Sequence, residues 1–90
     1  MNSLTAQNHL PGFADPVHDA QRVFRAVLEA MARPTLAQPL LGLAPLQTPA
    51  PLGRVAGAVI LALCDEQTPV WLDKRLGRGS DVCAWIRFHT

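Results

Sequence analysis

Residues 12–36, GFADPVHDAQRVFRAVLEAMARPTL, carry their own start and stop signals for a helix, and that helix is the firmest constraint on how the chain folds. Asp15 is a good N-cap, Pro16 fits the first helical position, and Asp19 puts negative charge near the positive end of the helix dipole. The helix should begin at about Pro16. Val17, Ala20, Val23, Phe24, Val27, Leu28 and Met31 recur at helical spacing as one apolar stripe, while His18, Arg22, Arg25, Glu29 and Arg33 fall on the opposite face. One side should pack and the other meet solvent. Pro34 disfavours helical geometry at Arg33 and lacks the N–H that continuation requires, so the helix should end there.

Ninety residues can form one domain, though a chain this short buries a limited share of its surface. Eight basic against seven acidic side chains give no broad electrostatic reason to expect nucleic acid or an anionic membrane as partner. Cys64 and Cys83 show no CxxC or Cys/His ligand spacing and read as two reduced, buried thiols in the cytoplasm. The opening residues MNSLTAQNHLPGF lack a positively charged start and a continuous apolar stretch, so residues 1–12 read as a flexible leader rather than a secretory signal. The longest apolar run, 55–64, is about half the ~20 residues that a membrane-spanning helix needs and belongs in a protein core.

Beyond the first helix, residues 35–41 suit a short strand that Pro39 confines to a sheet edge. Residues 42–53, with Pro45, Pro49 and Pro51, read as an extended connector. The length of the alanine-rich segment 52–64 favours a buried helix despite the β-branched Val59 and Ile60, with Gly57 permitting close packing. A polar turn at 65–68, a strand at 69–73 containing Trp71 and a loop at 74–79 with two glycines follow. Ser80 can cap a last helix of about ten residues through Asp81, Val82, Trp85, Ile86 and Phe88. Helix, strand, helix, strand, helix in that order predicts a mixed α/β fold.

Candidate sites are few, and each has a plain structural counterpart. Lys74, Arg75 and Arg78, with Gly77 and Gly79 ahead of the helix capped by Ser80, could gather cations and backbone N–H groups around a phosphate. The segment has no GxxxxGK[ST] pattern, and a solvated loop accounts for the same residues. Arg87 and His89 could bind an anion or a partner's carboxylate, or His89 could bond to backbone at the helix end. Arg25, Glu29 and Arg33 stand four apart, as in a solvent-facing pairing ladder. Trp71 and Trp85 suit core anchors, and either could mark an interface. The sequence offers no Ser-His-Asp set, paired-carboxylate pattern or metal cluster, so no catalytic residue and no metal ligand is assigned.

The helical stretch 12–36 resembles the N-terminal signature of the H subunit of the bacterial carbon-phosphorus lyase system, the PhnH family. TPVWLD at 68–73 is similar to that family's first well-marked core strand, and WIRFHT at 85–90 to the segment leading into its next block, in the same order. The resemblance spans 12–90 and implies roughly the first half of a family member, with 13–90 the N-terminal part of a single α/β domain. It also implies a reduced version of the fold of pyridoxal-phosphate-dependent transferases, without that cofactor. A Schiff base needs a lysine, and the one lysine, Lys74, sits in a polar, glycine-flanked segment, so no cofactor is expected.

The resemblance implies a non-catalytic or co-catalytic subunit of a cytoplasmic assembly that joins a phosphonate to the ribose of ATP, yielding ribose 1-phosphonate 5-triphosphate. The G, I and J subunits would be its partners, and complete members would form homodimers. The alternative is an independent phosphate- or nucleotide-binding domain using 74–80. Many family members carry glycine after the Arg-Pro pair, where this chain has Thr35, so the turn there should be built without positive φ.

Overall fold

The computed structural model describes residues 10–40, 45–78 and 80–90, and of Arg78 and Ser80 the backbone alone. Among these residues four helices follow in order: α1 (Pro16–Ala32), α2 (Arg54–Leu63), α3 (Lys74–Arg78) and α4 (Ser80–His89). The central element is α2, which packs on α1 along one side and on α4 along another, while α3 leans on α4.

The first helix begins and ends where its punctuation places it. Asp15 caps it, its Oδ1 accepting from the His18 N–H, while the Asp15 N–H donates back to Asp19 Oδ2 at 3.1 Å. At the other end Arg33 leaves helical geometry, and Leu36 N–H donates to Arg33 C=O across Pro34 and Thr35. No described non-glycine residue has positive φ, so the turn Arg33–Leu36 is not type II and Thr35 fits it.

The mixed α/β fold, and with it the reduced transferase-like sheet, is not what the chain forms: among the described residues there is no strand. Residues 37–40 and 69–73 are neither helical nor laddered. A strand exists only through its neighbour's hydrogen bonds, and among the described residues no backbone bond joins these two segments to each other or to another extended segment. Pro39 and Pro69 each remove a donor from the stretch that would have paired. The loop expected at 74–79 instead begins as α3, because Asp73 Oδ1 accepts from the Leu76 N–H at 2.9 Å and caps a turn of helix.

The core is built from Val23 of α1, Ala58 of α2, Val82, Trp85 and Ile86 of α4, and Leu46 and Leu52 of the proline-rich connector. Trp85 is 0% exposed and is its largest member. Gly57 lets α2 approach this centre: a Cβ there would stand 2.5 Å from Thr48 Cγ2 and 3.5 Å from Trp85 Cη2. Thr48 is itself fixed by its hydroxyl, which donates to Leu52 C=O at 2.6 Å.

The packing of α1 departs from expectation in one respect. Val23 is buried and Ala20 and Val27 are half-buried, but Val17, Phe24, Leu28 and Met31 are exposed, Met31 at 74%. The seven apolar positions span more than a third of the helix circumference, and among the described helices α1 packs only on α2. One helix does not cover the whole stripe.

Candidate functional site

The C-terminal helix carries the tightest polar arrangement. Trp85 Nε1 donates to Leu10 C=O at 3.1 Å, and His89 Nε2 meets the same oxygen at 2.9 Å. A carbonyl only accepts, so Nε2 is the donor of this bond. Nδ1 in turn lies so close to Gly12 that a Cβ there would come within 3.2 Å of it. The imidazole is further flanked by the rings of Trp85 and Phe88, with centroids 4.9 and 5.0 Å away. Its position four residues after Trp85 puts both donors on one helix face, where they clasp residues 10–12 across the molecule.

Arg87 lies elsewhere. Two residues apart on a helix, Arg87 and His89 point to different faces, so the guanidinium and imidazole are not brought together. Arg87 is exposed and lines a cleft of about 310 Å³ with Asp65, Thr68, Cys83 and Thr90. Asp65 is organised by its own turn: its Oδ1 accepts from Gln67 N–H and from Thr68 Oγ1–H, both at 2.9 Å. The Gln67 N–H and then the Thr68 hydroxyl hold its carboxyl below the ordinary value.

In the 74–80 segment, Lys74 and Arg75 are exposed on α3, while the side chains of Arg78 and Ser80 and all of Gly79 lie outside the described residues. Asp81 places a carboxylate in the first turn of α4, where the dipole would otherwise favour an anion. Its Oδ1 is buried without a hydrogen-bond partner among the described residues.

The charged face of α1 forms a single rung of the expected ladder, Arg33 Nε to Glu29 Oε2 at 3.8 Å. Near the helix start His18 Nδ1 lies 2.8 Å from Asp15 Oδ2. The ring and the backbone N–H of His18 hold the Asp15 carboxyl below its ordinary value of 3.8.

The features most suggestive of contact are apolar: Trp71, one of two tryptophans offered by the sequence as core anchors or interface markers, and the exposed part of the α1 stripe, which was expected to pack. Trp71, preceding α3, is 94% exposed, and the uncovered stripe of α1 borders a shallow cleft lined by Phe24, Leu28 and Ala62. Isolated apolar residues on a surface mean little, but a row along one helix marks an interaction face. The sequence signal was the width of the stripe, which exceeds what one neighbouring helix can cover. Cys64 and Cys83 are free thiols, both half-buried. No three His, Cys, Asp or Glu side chains converge among the described residues, and none of the described helices is long and apolar enough to cross a membrane.

Comparison with known proteins gives this geometry a context. Over residues 11–90 the sequence matches the bacterial phosphonate metabolism protein (PhnH) family. It is 47% identical over 89 residues to a curated protein of Rhizobium meliloti (strain 1021), the alpha-D-ribose 1-methylphosphonate 5-triphosphate synthase subunit PhnH. That alignment takes in 97% of this chain and 43% of the relative, so the chain spans less than half the relative's length. No solved structure matches it.

Proposed function

The chain belongs to the PhnH family of bacterial phosphonate metabolism proteins, and from that premise we propose that it serves as a subunit, not a free-standing catalyst, in the synthase step of phosphonate breakdown. The product would be a ribose 1-phosphonate 5-triphosphate, as the name of the R. meliloti relative describes for that protein. In this role the chain acts in the cytoplasm, with residues 13–90 forming part of one domain. It docks against the G, I and J subunits, and complete members pair as homodimers.

The observation that carries the proposal is the sequence match over 11–90, and the surface agrees with it. The arrangement is that of a docking protein: Val17, Phe24, Leu28 and Met31 uncovered along α1, Trp71 almost wholly in solvent, and Arg87 exposed as a candidate contact for a partner's carboxylate. Trp85, fully buried, is a core anchor and has no part in it. His89 has its Nε2 committed to Leu10.

Binding of phosphate or a nucleotide by 74–80 is the less favoured reading, because Asp81 opposes an anion at α4 and Lys74 and Arg75 stand in open solvent. The deciding experiment is co-expression of a tagged copy with the G, I and J subunits, followed by size-exclusion chromatography with mass detection. Co-elution supports the subunit role. Failure of both this chain and a version extended to the relative's full length would refute it.

A further inference from the structure

The segment between the turn at 65–68 and α3 turns its side chains alternately to the body and to water. Val70 and Leu72 are half-buried, and Leu72 packs against the core, whereas Trp71 between them is 94% exposed. Opposite charges stand on either side of that tryptophan: Asp65 and Glu66 before it, Lys74 and Arg75 after it, all exposed. Asp65 is spent on Gln67 and Thr68 within its own turn. Glu66 forms no ion pair among the described residues. All seven acidic side chains of the sequence are described, and none of them pairs with Lys74 or Arg75. The chain thus presents an acid, a tryptophan and two bases in order, and no ion pair among the described residues joins the two ends.

That order is complementary to itself reversed. When two copies meet about a twofold axis at Trp71, the acidic end of each lies on the basic end of the other, and the contact is made twice. Laid in the same direction, acid meets acid and base meets base, which repels. A second copy therefore carries the matching order by identity. The two tryptophans cover one another at the axis, each removing up to about 200 Å² from water. That is well short of the ~1,200 Å² of a stable interface, so the association is weak, with a Kd on the order of 100 µM. We propose that the free chain forms a twofold dimer through residues 65–75, with Trp71 of the two copies in contact and Glu66 of each on Lys74 and Arg75 of the other. This gives the pairing of copies proposed above its surface and rests on that reading for complete members. In the assembly the sister subunits compete for Trp71, so the pairing belongs to the free protein.

The test is sedimentation equilibrium of the 90-residue chain from about 10 µM to about 1 mM. The expected result is a mass that rises from monomer towards dimer over that range, less so with added salt, and no dimer with Trp71→Ala. Glu66→Lys alone and Lys74→Glu/Arg75→Glu alone should each weaken the pairing about tenfold or more, because both copies of the contact become like-charged. An equimolar mixture of those two variants should recover the original affinity, because in the mixed dimer both contacts again join opposite charges. The substituted side chains are exposed, so the helical circular dichroism should not change; Glu66→Gln and Lys74→Gln/Arg75→Gln repeat the weakening with milder changes, without recovery on mixing. The proposal is overturned by a monomer throughout, by a dimer that survives Trp71→Ala, or by a charge-reversed mixture no tighter than either variant alone. Pairing of the chain without association of the sister subunits would fail the subunit role alone, and association without pairing would fail this inference alone.

Discussion

Gly57 and Thr48 touch where α2 crosses the proline-rich connector: a Cβ on Gly57 would stand 2.5 Å from Thr48 Cγ2, closer than real side chains come. Alanine is the better helix former by about 1 kcal/mol, but here it must displace a threonine anchored by its bond to Leu52 C=O. Gly57→Ala should therefore destabilise the chain, by about 1–3 kcal/mol in denaturant titration. Thr48→Ser removes the clashing methyl and keeps the hydroxyl, so the double variant should recover most of the loss. If Gly57→Ala alone proves neutral, the close approach is wrong.

The two donors on Leu10 C=O predict non-additivity. His89→Ala leaves Trp85 Nε1 on that oxygen, and Trp85→Phe leaves His89, so each single variant keeps the acceptor satisfied. Removing both strands a partly buried carbonyl. The double variant should lose about 1 kcal/mol beyond the sum of the singles, and hydrogen exchange should rise at residues 10–13. Strict additivity would mean that the clasp is not shared.

Acid should weaken the chain through Asp15 and Asp65. Both carboxyls are held below the ordinary value of 3.8, Asp15 by His18 and Asp65 by Gln67 and Thr68, so folding favours their ionised forms. Their contribution is complete above that value and is lost as pH falls through the lower folded-state values. Tm should be nearly flat from about pH 7 to about pH 5 and decline below about pH 4. Asp15→Asn/Asp65→Asn should start lower at neutral pH and show a shallower acid decline.

Much of the helical structure was legible in the residues. Asp15, Pro16 and Pro34 mark the bounds of α1 because capping and proline geometry act locally. Gly57 and the two later long helices followed from apolar length and spacing. Of the strands expected at 35–41 and 69–73, residues 35–40 and 69–73 are not strand and residue 41 lies outside the described residues; alternation and β-branched residues describe what a strand needs on its faces and say nothing of whether a neighbour is there to pair with. The α3 turn was hidden by two glycines, although Asp73 three residues before Leu76 was a readable cap.

The sites were less legible. That His89 bonds to Leu10, 79 residues away, is a property of the fold and has no local signature. Of the two readings offered for His89, the one that set it beside Arg87 at a shared anion overlooked that residues two apart diverge on a helix. Exposure of Trp71 could not be read from an apolar hexamer that suits a core strand equally well.

Trp71 separates stability from association. At 94% exposure it supports little of the fold, so Trp71→Ala should change stability by no more than about 0.5 kcal/mol. If it sits in a docking face, the same variant should weaken binding to the sister subunits by about tenfold. A large loss of stability with unchanged binding would reverse its assignment.

The most direct test of the account is a hydrogen-exchange footprint of the chain in complex with the sister subunits, compared with the chain alone. Slower exchange along residues 16–32 and around Trp71, with the Trp85 region of α4 unchanged, is the predicted result, since Val17, Phe24, Leu28, Met31 and Trp71 are exposed and Trp85 is already core. Protection confined to other segments, or an exchange pattern identical with and without the subunits, would contradict the claim that this helical chain is a docking member of the phosphonate assembly.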